Sequence, residues 1–263
     1  MKAVSCVHGT LDVVDLPDPR PADRQLVLSV LRCGICGSDL HAKDHADELT
    51  EVMAEGGYHD FVRSDTPVVM GHEFCGVVAE RGRKVGKEFK PGTPVVAFPL
   101  LRAHGGVHLT GLSPKAPGAF AEQVVAEAAM AFAVPNGLDP ATAALTEPMA
   151  VALHAVNRSE ITRRDVAIVI GCGPVGLAVI CHLKARGVQT IVASDFSPGR
   201  RALASRCGAH VVVDPAVGSP YEAVPVNRRG MTALPELYEL GMGAMEKLRR
   251  VPGWSHVYRV ADR

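Results

Sequence analysis

Three groups of residues in this chain have the types and spacing for chemistry. The first is Cys33-Gly34-Ile35-Cys36, a CxxC pair, with Ser38, Asp39 and His41 directly behind it. The second is His72-Glu73, an imidazole beside a carboxylate. The third is Gly171-Cys172-Gly173-Pro174-Val175-Gly176, a GxGxxG run. Thiolate, imidazole and carboxylate are the ligand types that zinc accepts. A CxxC pair alone reads as half a zinc ribbon or as a redox pair. A ribbon needs a second CxxC, and the sequence has none. A redox pair belongs in a thioredoxin-like βαβ setting, whereas the pattern here reads as strand then loop.

The glycine run draws its meaning from its flanks. Val166 to Ile170 reads as a buried strand and Leu177 to Arg186 as an apolar helix. In that setting Gly171 makes the tight turn, Gly173 lets the backbone approach a pyrophosphate, and Gly176 allows close helix–strand packing. Pro174 and Val175 complete the run with them as cofactor-binding positions, and the N-terminus of the helix that follows faces the phosphate charge. Asp195 follows at the end of the next strand, placed to accept hydrogen bonds from the adenosine ribose and to favour NAD over NADP. Arg200 and Arg201 soften that preference, because a nearby arginine can accommodate a 2′-phosphate.

Two textures position these groups. From Met1 to about Val134 the chain alternates short β-type runs with Gly and Pro, such as 26–31, 76–79 and 93–98, which predicts a small barrel or sandwich. Residues 44–61 read as a helical excursion on the surface. Ala141 to Val156 reads as one helix, capped by Asp139-Pro140. Strands at 166–170, 189–194 and 210–213, with a helix at 198–207 as well, then give half of a parallel α/β unit. Beyond Asp214 the alternation stops. Leu234, Leu237, Tyr238, Met245 and Leu248 form a helical stripe ending near Pro252-Gly253. The division expected is therefore 1–155, 156–220 and an atypical tail over 221–263.

Composition narrows the partners. The 263 residues carry 28 basic and 28 acidic side chains, so formal net charge is zero. Without a basic stripe, nucleic acid and anionic membrane are poor partners. The N-terminus lacks a signal-peptide pattern and no apolar run approaches a membrane span. Seven cysteines, an odd number, argue for a reducing compartment and a cytoplasmic location. Cys33, Cys75, Cys172 and Cys181 are expected to be buried small hydrophobes, His154 to be packed, and His45, His59, His104 and His108 to be exposed.

The run Cys33-Gly34-Ile35-Cys36-Gly37-Ser38-Asp39-Leu40-His41, with Gly71-His72-Glu73-Phe74-Cys75-Gly76, resembles the catalytic zinc site of medium-chain zinc alcohol dehydrogenases. Lys90 to Val95, Gly118-Ala119-Phe120-Ala121-Glu122 and Thr146 to Val156 resemble further signatures of that family, and the likeness runs to about Pro220. It implies a GroES-like β-barrel catalytic domain followed by a Rossmann domain. It implies a small-molecule alcohol as substrate, with oxidation of a primary or secondary alcohol, or a polyol, by NAD. Cys36 and His72 are then zinc ligands, completed by Glu147 or by Glu73, and the sequence does not choose between the two. Zinc would act as a Lewis acid on the alcohol. Ser38 would take the alcohol proton and His41 would pass it outward through the cofactor ribose.

Two departures qualify the resemblance. Between Cys75 and Cys172 there is no cysteine, so one catalytic ion is expected and no structural zinc. The stretch Leu100 to Pro117 in that interval reads as a plain loop, with His104 and His108 as an opportunistic metal pair. The cofactor domain also supplies only its first half, about 80–100 residues short by the missing half-unit. An apolar edge strand would then stand open unless self-association as a homo-oligomer covered it. The alternative is a truncated, inactive relative that binds zinc and part of a nucleotide without turnover.

Overall fold

The computed structural model describes residues 1–223 and the strand His256–Val260. Contacts divide the chain into two compact units, Met1–Glu147 and Pro148–Arg263.

The first unit is built around β3 (Gln25–Gly34), in which Leu26 and Leu28 point to one face and are fully buried. It pairs antiparallel with β5 (Glu73–Arg81) and β9 (Gln123–Glu127). With β6 (Pro94–Ala97) and β10 (Ala131–Ala133) these make a five-stranded sheet in the order β10-β6-β5-β3-β9. Its core includes Leu26, Leu28, Phe74, Val78, Val95 and Val124. Each such side chain contributes roughly 1.5–3 kcal/mol on burial. A three-stranded sheet joins β2 (Thr10–Asp15), β1 (Lys2–Val7) and β4 (Val68–Val69). Residues 120–122 link the two sheets: Phe120 O accepts from Val4 N, and Glu122 bonds to both Lys2 and Val30.

The helix expected over 44–61 is longer and begins earlier, as α1 (Gly37–Glu55), with a kink at His45. Ala42 and Ala46 pack it against Cys6, Phe61, Val62, Val68 and Met70. The stretch 100–117 is not a plain loop. It contains a hairpin of β7 (Leu100–Ala103) and β8 (Gly106–Leu109), turned by His104 and Gly105, both at positive φ. That is the two-residue turn that matches the strand twist. His108 is accordingly buried at 1% exposure, against expectation, with Nε2 2.9 Å from Ala103 O.

The helix expected at 141–156 divides into α2 (Pro140–Ala143) and α3 (Thr146–Arg158). Asp139 caps α2 as its position suggested, accepting from the N–H groups of Ala141 and Thr142.

In the second unit β11 (Val166–Ile170), β12 (Thr190–Ser194) and β13 (Val211–Val213) are parallel, connected by α4 (Pro174–Ala185) and α5 (Pro198–Cys207). Ala152 and Val156 of α3, Val179, Ile180 and Leu183 of α4 and Ala204 of α5 pack on Ala167, Val169, Ile191 and Ala193. The sheet continues past β11, which is paired antiparallel by β14 (His256–Val260), with Ile168 opposite Tyr258. The helix expected over 234–248 lies outside the described residues. His154 is exposed instead of packed, and Cys33 and Cys181 are half-buried.

Candidate metal centre and cofactor turn

The register of β3 against β5 brings the two ligand loops together. Gly34 lies opposite Glu73, so Cys36 and His72 leave adjacent strand ends. One ligand atom each from Cys36, His72 and Glu73 lies within 4.8 Å of the others, the one such group of three among the described residues. Gly34 makes the space: a Cβ there would stand 2.3 Å from Glu73 Oε2. Thiolate, imidazole and carboxylate on two buried residues and one half-buried one form a donor set that suits zinc.

Gly71 sets the direction of His72. It adopts φ +94°, and a Cβ would meet Phe120 Cδ1 at 2.6 Å and Phe120 N at 2.8 Å. The Gly118-Ala119-Phe120 backbone braces this turn, donating N–H bonds to Val69, Gly71 and Met70 carbonyls in that order.

Asp39 ties the two loops together. It is 2% exposed, and its Oδ2 accepts the Cys36 N–H at 2.9 Å, an acid three residues into α1 reaching back to the capping position. Its Oδ1 accepts from Gly71 N at 3.3 Å and lies 3.3 Å from His72 Nδ1. That approach is poorly angled, which leaves His72 Nδ1 buried without a hydrogen bond. The motif that contains Asp39 does not by itself assign it a role. The signal that finds it is the S/T-x-x-E/Q-like spacing of an acid after a helix start, in a segment read as loop.

The other nitrogen, Nε2, faces Ser38 Oγ at 3.2 Å. Burial disfavours the protonated His72 ring, but Asp39 and the Cys36 sulfur outweigh it and hold the ring up at about 10. Burial also raises Glu147, where His72 pulls the other way and Glu73 and Asp39 add to the rise. Glu147 thus senses all three groups, although it stands outside the close cluster. Burial drives Cys33 up to about 12, so this second thiol of the CxxC pair stays protonated. His41 lies three residues beyond Ser38 on α1, half-buried.

The residues match an established architecture. Residues 22–136 match the alcohol dehydrogenase GroES-like domain. The (R,R)-butanediol dehydrogenase of Bacillus subtilis strain 168 is 36% identical over 82% of this chain and 63% of its own length. The chain is thus similar to medium-chain alcohol dehydrogenases over most of its length. An erythritol/L-threitol dehydrogenase of Mycolicibacterium smegmatis is 32% identical over 81% of this chain and 62% of its own length. A structure described as a zinc-binding dehydrogenase from Sinorhizobium meliloti 1021, bound to NADP, superposes with a TM-score of 0.72. It shares 31% identity and covers 86% of this chain and 65% of that one. The chain thus spans a little under two thirds of the length of these relatives.

The second unit places the glycine run between β11 and α4. Gly171 adopts φ +90°, and a Cβ on Gly173 would meet nothing within 4 Å, so that side of the turn is open. Gly173 caps α4, Pro174 and Val175 form its first turn, and Gly176 is buried. Asp195 is 8% exposed just beyond β12, its Oδ2 accepting from Cys172 N at 2.8 Å and its Oδ1 from Ser197 N at 2.7 Å. Arg200 extends outward with Nη1 3.8 Å from Asp195 Oδ2. Arg201 turns back into the fold: its Nη1 bonds to the Asp195 and Phe196 carbonyls and its Nη2 pairs with Asp214. Among the described residues no helix is long and apolar enough to cross a membrane.

Proposed function

We propose that this chain is an NAD-linked alcohol dehydrogenase whose substrate class is secondary alcohols and vicinal diols, with one catalytic zinc. The observation that carries it is the close grouping of Cys36, His72 and Glu73 beside the Ser38 hydroxyl. Cys36, His72 and Glu73 are the residues that would hold the metal, and Glu147 faces them as the carboxylate able to replace Glu73. The diol preference draws on the butanediol and erythritol/threitol relatives.

When bound, zinc would supply a Lewis acid that favours ionisation of an alcohol hydroxyl, and NAD would supply a hydride acceptor. The chain's own residues do the rest. Ser38 Oγ, already within hydrogen-bond distance of His72 Nε2, takes the alcohol proton. His41, one helical turn further along α1, carries it outward. Asp39 Oδ1, 3.3 Å from His72 Nδ1, places its charge on that side of the ring and leaves Nε2 for the ion. In the other unit Gly171, Gly173 and Gly176, with the first turn of α4 at Pro174 and Val175, take the pyrophosphate. Asp195 receives the ribose hydroxyls, its two oxygens each keeping a second lone pair, and Arg200 flanks it.

The test is NADH binding to the purified zinc-loaded chain, followed by fluorescence, then NADH formation with 2,3-butanediol and erythritol. Micromolar binding, roughly −8 kcal/mol, with diol-dependent turnover abolished in Cys36→Ser is the expected result. Zinc content that survives in Cys36→Ser, or turnover in that variant, sinks the site. Glu73→Gln should lose metal more readily than Glu147→Gln. Zinc retention without NADH binding would mean that the metal unit acts alone and the dehydrogenase reading fails.

A further inference from the structure

The turn after β12 carries a side-chain arrangement that cofactor contact alone does not require. Arg201, on α5, points back under the turn. Its Nη1 donates to Asp195 O at 2.9 Å and to Phe196 O at 2.8 Å. Its Nη2 pairs with Asp214 Oδ2 at 2.9 Å. Both side chains are mostly buried, at 20% and 29% exposure, so the pair is shielded from salt. Asp214 follows β13 and is itself fixed, its Oδ1 accepting from Ala216 N and its carbonyl from Val217 N and Gly218 N. One guanidinium therefore bolts two consecutive carbonyls at the exit of β12 to the end of β13.

The consequence falls on Asp195. Its carboxylate is tethered by the N–H groups of Cys172 and Ser197. Those two bonds hold only while the peptides on either side of Phe196 keep their orientation. These are the peptides whose carbonyls Arg201 grips. A carboxylate tethered in this way cannot swing aside from an incoming 2′-phosphate, and like charge at that distance is repelled. Released from the grip, it can turn away.

We propose that Arg201, braced by Asp214, is the positioning residue that makes Asp195 discriminate between a ribose hydroxyl and a 2′-phosphate. This rests on the reading of the second unit as a nicotinamide dinucleotide site. Arg201 then serves NAD selectivity from beneath the turn, the opposite of the phosphate-binding role its proximity in sequence suggests.

The experiment measures dissociation constants for NADH and NADPH by fluorescence on the full zinc-loaded chain, wild type against Arg201→Ala, Arg201→Lys and Asp214→Asn. Circular dichroism melts accompany each variant. In Arg201→Ala the NADH constant should rise about three- to tenfold, the scale of one ordinary hydrogen bond lost. The NADPH constant should rise less or fall, so that the preference ratio drops. Arg201→Lys keeps the charge towards Asp214 but cannot reach both carbonyls and the acid together, and should restore the melting temperature more than the ratio. Asp214→Asn should shift the ratio in the same direction by a smaller factor. Loss of melting temperature with an unchanged ratio in all folded variants overturns the proposal and leaves Arg201 purely structural. If Arg201→Ala does not fold, Asp214→Asn and Arg201→Lys decide by the same ratio. Failure of the wild type to bind either dinucleotide would instead overturn the cofactor reading, and this proposal with it.

Discussion

Asp39 Oδ1 lies 3.3 Å from His72 Nδ1, while the other oxygen of the same carboxylate accepts the Cys36 N–H at 2.9 Å. One buried acid thus fixes the backbone of one metal-ligand candidate and faces the ring of another. A carboxylate behind an imidazole sets the tautomer and raises the basicity of the nitrogen that faces the ion. Asp39→Asn preserves the volume and one acceptor but removes the charge. Zinc affinity should fall by about 10–100-fold, read by competition with a chromogenic chelator. Unchanged affinity would reduce Asp39 to a helix cap.

The same contact gives the chain a pH signature. Asp39 and the Cys36 sulfur hold the His72 ring up at about 10, above its ordinary 6.5, despite the opposing effect of burial. A group raised on folding stabilises the folded state fully below its unfolded value, and that stabilisation is lost as pH climbs through the folded one. The melting temperature of chelator-stripped protein should therefore decline between about pH 6.5 and 10. Zinc needs the neutral ring, so zinc affinity should rise over the same window and binding should release protons. Calorimetry in buffers of different ionisation heat counts those protons. A flat apo profile would argue against the Asp39–His72 contact.

Gly71→Ala tests the turn that aims His72. The new Cβ would stand 2.6 Å from the Phe120 ring and 2.8 Å from Phe120 N, at a φ of +94°. The backbone atom cannot yield as a flexible side chain would, so a loss of about 1–3 kcal/mol in stability is expected. Zinc content should drop with it, measured on the fraction that stays folded at low temperature. Wild-type stability in this variant would show that the turn relaxes freely.

The strands, the helix periods and the glycine turn were legible because each rests on local rules. Val166 to Ile170 is a buried strand and Pro198–Cys207 a helix, because apolar runs and helix propensity act within a few residues. Cys36, Ser38, His41 and His72 stand out through the resemblance of their motifs, and Asp195 through its place after the glycine turn. What spacing could not supply was the partner of each group. Asp39 reads as one more polar residue after a CxxC pair until the β3–β5 register places Gly71-His72 against it. His108 reads as exposed until the hairpin turn at His104-Gly105 folds it inward. Arg201 and its neighbour Arg200 look equivalent on the sequence, yet one is buried under the turn and the other extends outward. The sequence by itself determined which residues are candidates for chemistry, because ligand type and glycine requirement are properties of single positions. Which of them touch was decided by tertiary structure alone, because strand register and helix packing join residues tens of positions apart, through long-range pairings that local preference does not encode.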